Sequence, residues 1–252
     1  MQPTAVPVTF SSEQQRRAYL EALGIDLYVP RGTPEPSPGT EPAEAPSSET
    51  PQAETPPAGT PPAEPSLPDD FESLREIVAH CTRCPLHETR TQAVFGVGNP
   101  DADWMVIGEA PGAEEDRQGE PFVGRAGKLL DEMLRAIGES RRSVFIANVL
   151  KCRPPNNRDP HREEMDQCRR YLDAQIERVS PRLILVVGRI AAHELLQTDA
   201  PVGRMRGRQH DYQGIPLVVT YHPAYLLRSP SQKAKAWDDL RLARRLFRES
   251  AA

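Results

Sequence analysis

Four short apolar runs, at residues 104–107, 144–150, 183–187 and 215–220, alternate with stretches that carry helical periodicity. Runs of this length suit buried strands better than buried helices. Strands separated by helices cannot be joined as hairpins. They need crossovers, and crossovers cover the faces of a parallel sheet. The expected fold class is therefore α/β: a three-layer α/β/α arrangement around a mostly parallel four-stranded sheet. The helices read as 71–79, 124–137, 159–179, 189–196 and 232–247. Leu74, Ile77 and Val78 mark the buried face of the first. Leu129, Leu130, Met133, Leu134 and Ile137 stripe the second, with Gly138 as its stop. Asp159 before Pro160 is read as an N-cap followed by proline at the first helical position.

In such a sheet ligands gather beyond the carboxyl ends of the strands. The residues just past those ends are Glu109, Asn148 with Lys151 and Cys152, Gly188 and His222. The first strand breaks into Gly108-Glu109-Ala110-Pro111-Gly112. A charged loop leads on to Pro121-Phe122-Val123-Gly124. Phe122 sits in a Gly/Pro loop, where an aromatic ring can stack on a ligand. Asn148 interrupts an otherwise apolar strand, and its amide must find hydrogen bonds or cost a few kcal/mol. An amide offers a donor and an acceptor side by side, which suits the edge of a pyrimidine. His222, taken alone, reads as a structural imidazole.

Outside this region the composition changes. The chain has 27 prolines, and most of the excess lies in residues 31–68, which hold six acids, one base and almost no large apolar side chain. Such a stretch cannot bury enough surface to offset its chain entropy, so a disordered, polyproline-leaning linker is expected there. Residues 1–30 carry a short helix signal at 11–23 and an alternating run at 25–29. They are too few to fold alone and read as a docking segment for a protein partner. The globular domain is expected over 69–252. The chain's net charge of −5 resides in the linker, whereas residues 202–252 hold ten Lys/Arg against four Asp/Glu. An acidic average therefore does not exclude a nucleic-acid partner. There is no apolar run of 18 residues and no charged-then-apolar N-terminal signal. No membrane association is expected, and a cytoplasmic location is.

Four cysteines in a reducing compartment suit a metal better than disulfides. Cys81 and Cys84 form a CxxC followed by Pro85. Cys152 follows a strand, and Cys168 falls within a helix. Zinc and a [4Fe–4S] cluster both accept four thiolates, and spacing alone leaves the two open.

Taken together, GEAPGAEED, GEPFVGRAGKLL, NVLKCRPPNNR and HPAYLLR, in that order and downstream of the CxxC, resemble the family 4 uracil-DNA glycosylases. These are iron–sulfur enzymes of the uracil-DNA glycosylase superfamily. The resemblance spans residues 69–247. It implies a uracil-DNA glycosylase fold and hydrolysis of the N-glycosidic bond of uracil in DNA. It implies that Cys81, Cys84, Cys152 and Cys168 hold a structural [4Fe–4S] cluster. Glu109, Ala110 and Pro111 would line the uracil pocket, with Glu109 placing or activating water. Glu115 would guard C5 of the base, Phe122 would stack on it, and Asn148 would read O4 and N3–H. Asn157 would assist the reaction, and His222 would hydrogen-bond O2. The loop 224–228, through Tyr225, Leu226 and Arg228, would enter the DNA. Other glycosylases of the superfamily carry an Asp where this chain has Ala110, so leaving-group stabilisation should carry more of the rate here. Residues 151–155 run on without the basic, sugar-trapping insertion of one relative, which argues for turnover over suicide binding, and a monomer is expected. The competing readings are an iron–sulfur module that binds DNA or uracil beside a polymerase without cleaving, and a zinc-stabilised hydrolase of a small nucleobase derivative.

Overall fold

The computed structural model describes residues 66–250. The docking segment 1–30 and all but the last three residues of the linker lie outside the described residues. Residues just ahead of the expected boundary at 69 are tied to the domain as well. Leu67 packs on the core, and Arg178 donates to the carbonyls of Leu67 and Pro68.

The chain runs α1 (Phe71–Ala79), β1 (Val97–Gly98), β2 (Trp104–Gly108), α2 (Ala113–Gln118), α3 (Arg125–Ala136), β3 (Phe145–Asn148) and α4 (Arg162–Val179). It continues through β4 (Leu183–Val187), α5 (Arg189–Leu196), α6 (Val202–Met205), β5 (Gln209–Tyr212), β6 (Ile215–Thr220), α7 (Pro223–Arg228) and α8 (Lys233–Glu249). The sheet has six strands rather than four, in the order β1-β3-β2-β4-β6-β5. The four expected strands form its parallel centre, with Ile107 beside Ala147 and Val186, and Val187 beside Thr220. The two additional strands are antiparallel edges. The first is two residues long, too short for any periodicity. The second, Gln-His-Asp-Tyr, is a mostly exposed polar edge with no apolar run to reveal it. It joins β6 through Gln213 and Gly214, both at positive φ, the backbone of a tight hairpin turn.

Alternation along the central strands sends side chains to two cores. Met105, Ile107, Phe145, Ala147, Ile184 and Val186 face α1, α4 and α5. Trp104, Val106, Ile146, Leu185 and Val187 face α3, α7 and α8. Both faces are covered, so the strands are apolar throughout.

Several local expectations need correction. Ile77 is 40% exposed, and only Leu74 and Val78 of that helix are buried. The helix expected from Asp159 begins at Arg162 with His161 as N-cap, because Glu164 accepts the His161 backbone N–H at 2.8 Å. Asp159 instead pairs with Arg189 at 2.6 Å. The charged loop after Gly112 contains α2, and residues 224–228 belong to helix α7 rather than a loop. Gly138 does end α3, at φ +86°.

Candidate active site

A cavity of about 710 Å³ opens at the carboxyl ends of the parallel strands. That is an ordinary size for a small-molecule site. Glu109, Ala110, Pro111, Glu115, Phe122, Asn148, Asn157 and His222 all line it, as do Tyr225 and Arg228. Elements far apart in sequence thus bring every expected pocket residue to one place. Leu226 is the exception. It is 1% exposed and packed in the core beside α3, whereas Tyr225, 37% exposed, is the side chain this helix presents outward.

The floor is set by close approach. A Cβ on Gly108 would lie 2.5 Å from Asn148 Oδ1 and 2.6 Å from Phe122 Cζ. Only glycine at the end of β2 lets the amide and the ring meet there. Asn148 is buried, and its Oδ1 has no hydrogen-bond partner among the described residues. A buried orphan acceptor costs about 1–3 kcal/mol, so a ligand is the natural reason to keep it.

Phe122 has φ +56°, a left-handed backbone that costs a bulky residue about 1–3 kcal/mol. Its ring lies 5.6 Å from the His222 ring, tilted by 31°. Gly127 makes room for this turn, since a Cβ there would sit 1.6 Å from the Phe122 carbonyl oxygen. Gly127→Ala should therefore destabilise the fold by about 3 kcal/mol or more in denaturant unfolding. A loss under about 0.5 kcal/mol, within the range of neutral surface changes, would mean that the loop is free to move away.

His222 caps α7, its Nδ1 accepting the Ala224 backbone N–H at 3.1 Å. An acceptor Nδ1 carries no proton, so a neutral ring bears its proton on Nε2. Burial pulls the imidazole pKa down to about 4, Arg228 adds to the effect and Glu115 opposes it. Glu109 behaves oppositely. Burial raises its carboxyl to about 7, with Asp159 adding and Arg189 opposing.

Glu115 stands in the wall with its carboxylate committed to backbone. Oε2 accepts from Gly112 N at 3.1 Å, and Oε1 accepts from Val123 N and Gly124 N at 3.1 and 3.2 Å. It is the N3 residue of α2 reaching back to its N-cap, half of a capping box. Asn157 is exposed at the rim, where its Oδ1 accepts from Arg153 at 2.7 Å.

The four cysteines line a second, small cavity between α1, α4 and the end of β3. All four are free thiols. Arg90 Nη1 donates to Cys152 Sγ at 2.9 Å, Lys151 N to Cys168 Sγ at 3.3 Å, and the Tyr171 hydroxyl to Cys81 Sγ at 3.2 Å. Burial drives the Cys168 thiol up to about 12 and also raises Cys84 and Cys152. Among the described residues no three His, Cys, Asp or Glu close on a point as a ready-made ion site. Lys151, buried beside this cavity, ties it to the other. Its Nζ donates to the Asn148 carbonyl at 2.7 Å and to Gln175 Oε1 at 2.5 Å.

This fold, with an amide, an imidazole and an aromatic ring around one cavity, defines an α/β protein with a ligand-sized pocket at the carboxyl ends of its parallel strands. A model of the Uracil DNA glycosylase superfamily matches residues 95–241. A type-4 uracil-DNA glycosylase of Pyrobaculum aerophilum is 44% identical over 182 residues, 68% of this chain and 91% of the relative. Those of Archaeoglobus fulgidus and Thermotoga maritima are 43% and 46% identical, with 68% and 65% of this chain and 91% and 88% of the relatives covered. The chain belongs to the type-4 uracil-DNA glycosylase family of that superfamily. Among the described residues no helix is long and apolar enough to cross a membrane.

Proposed function

We propose that this chain is a uracil-DNA glycosylase, which flips uracil out of DNA and hydrolyses its N-glycosidic bond, leaving an abasic site for base excision repair. The observation that carries this reading is the pairing of two groups in one cavity. One is the buried, unsatisfied amide oxygen of Asn148; the other is a neutral His222 whose proton is fixed on Nε2. Flipping the base costs a few kcal/mol, and the pocket must repay it. As the bond to the sugar breaks, negative charge grows on O2 and O4 of uracil. Donors fixed in advance at those atoms lower the barrier, since they need no reorganisation. His222 Nε2–H serves O2, and the Asn148 amide serves O4 and N3–H. Phe122 lies against the ring. Glu109 orients and deprotonates the attacking water, Asn157 assists from the rim, and Ala110 and Pro111 shape the wall. Glu115 guards the C5 side by holding the two loops there. Tyr225 and Arg228 meet the DNA, supported by the basic residues of 202–252.

The charge state of Glu109 sets a pH dependence. The carboxylate is the active base, and its pKa stands at about 7. Single-turnover excision should therefore rise about tenfold per pH unit below that value and level off above it. His222, at about 4, is already neutral across this range. A flat profile between pH 5 and 8 would remove Glu109 as the base.

Cys81, Cys84, Cys152 and Cys168 fit a [4Fe–4S] cluster. They form an all-sulfur donor set around one cavity, with N–H and O–H donors already aimed at three of the sulfurs. Such a group would brace α1, α4 and the end of β3, and hydrolysis asks no electron of it. Visible absorption with iron analysis tests this, and a colourless protein holding zinc alone would reject it.

The chain acts as a cytoplasmic monomer on this reading, with residues 1–30 docking a protein partner through the linker. Removing residues 1–65 should leave excision on oligonucleotides unchanged within about twofold, because every residue that lines the cavity lies downstream, from Glu109 on. The decisive assay for the function is release of free uracil from a uracil-containing oligonucleotide. No release at any salt concentration would overturn it.

A further inference from the structure

Arg141 follows α3 and does not line the cavity, yet its guanidinium grips the loop that does. Nε donates to Asp131 Oδ1 at 2.7 Å, Nη1 to the Pro121 carbonyl at 3.0 Å, and Nη2 to the Phe122 carbonyl. Its side chain is 24% exposed, so these bonds are largely shielded from water. We propose that Arg141 is a positioning residue of the base pocket, holding Phe122 in the left-handed backbone that turns its ring toward the expelled base. The proposal rests on the glycosylase reading above and deepens it.

The physical need is plain in the backbone. A phenylalanine at φ +56° drifts to negative φ unless its neighbours over-determine it, and that drift would swing the ring away. Three contacts oppose the drift. Gly127 leaves space for the Phe122 carbonyl. Glu115 fixes the next two N–H groups, those of Val123 and Gly124. Arg141 fixes the carbonyls of Pro121 and Phe122, and Asp131 braces it from behind. Two successive carbonyls need a planar fork of donors. Arginine supplies one, whereas lysine offers a single ammonium.

The test is a double-mutant cycle in the full-length protein, read by single-turnover release of uracil. Arg141→Lys should slow excision roughly tenfold in the wild-type background and less than twofold in a Phe122→Ala background. Equal slowing in both backgrounds would overturn the proposal while leaving the glycosylase reading intact. Wild-type protein that releases no uracil would reject that reading instead. The positioning claim would then be decided by hydrogen exchange at the Val123 and Gly124 amides. Exchange about tenfold faster in Arg141→Lys supports it, and unchanged exchange overturns it. Should Arg141→Lys not fold, Asp131→Asn loosens the same guanidinium from outside the loop. It should reproduce the faster exchange in weaker form, and wild-type exchange there would equally overturn the proposal.

Discussion

His222→Ala lowers single-turnover uracil excision by about 10²–10³-fold, the usual cost of removing one donor aimed at developing negative charge. The imidazole lies 5.6 Å from the Phe122 ring, with its Nδ1 held by Ala224 N–H and its remaining proton free for the base. It is neutral, so its loss removes a hydrogen bond and no formal charge. DNA affinity should therefore change by less than about threefold, because phosphate contacts supply most of it. The substitution also deletes the cap of α7, which costs about 0.5–2 kcal/mol by itself. His222→Asn separates the two roles. Its side-chain oxygen can accept the Ala224 N–H, but its shorter amide cannot reach where Nε2 pointed. Stability should return to near wild type while excision stays low. Recovery of both together would mean that the imidazole only caps the helix.

Asn148→Ala should cost a similar factor, about 10²–10³-fold in rate, without loss of stability. The amide oxygen has no partner to lose, and the backbone contact from Lys151 Nζ to the residue 148 carbonyl survives the change. Removing a buried unsatisfied acceptor relieves a penalty of about 1–3 kcal/mol and sets it against a small cavity. The unfolding midpoint should be equal to or above that of wild type, a pocket that trades stability for function. Discrimination should fall too. Cytosine presents an amino group where uracil has O4, and a fixed amide donor rejects it through a buried mismatch. Wild-type preference for uracil over cytosine should shrink in Asn148→Ala together with the rate. A variant that is clearly less stable and keeps its discrimination would make Asn148 a structural amide.

Much of the centre of the fold was legible because burial writes itself into sequence. Strands covered on both faces must be apolar throughout, so all four parallel strands stood out as runs. The edges did not. β1 is two residues long, and β5 shows a polar, exposed face, so neither carries a hydrophobic signature. Short helices failed for a related reason: α2 is charged and reads as a loop, and the bonds of its Glu115 to Gly112, Val123 and Gly124 leave no local signature. Leu226 shows the reverse case. The resemblance placed it in a loop that enters DNA, but helical phase turns it inward and leaves Tyr225 outside.

The sequence by itself determined the α/β class, the positions of the central strands and the set of residues at their carboxyl ends, because those depend on patterns only a few residues long. It also singled out four cysteines as a group. Only the tertiary structure decided which atoms face which. The approach of Asn148 and Phe122 to Gly108 and the grip of Arg141 on the Pro121 and Phe122 carbonyls arise between segments distant in the chain, and they hold the left-handed backbone of Phe122 in place. Such contacts are fixed by packing and hydrogen bonding across elements, where local propensity carries no information.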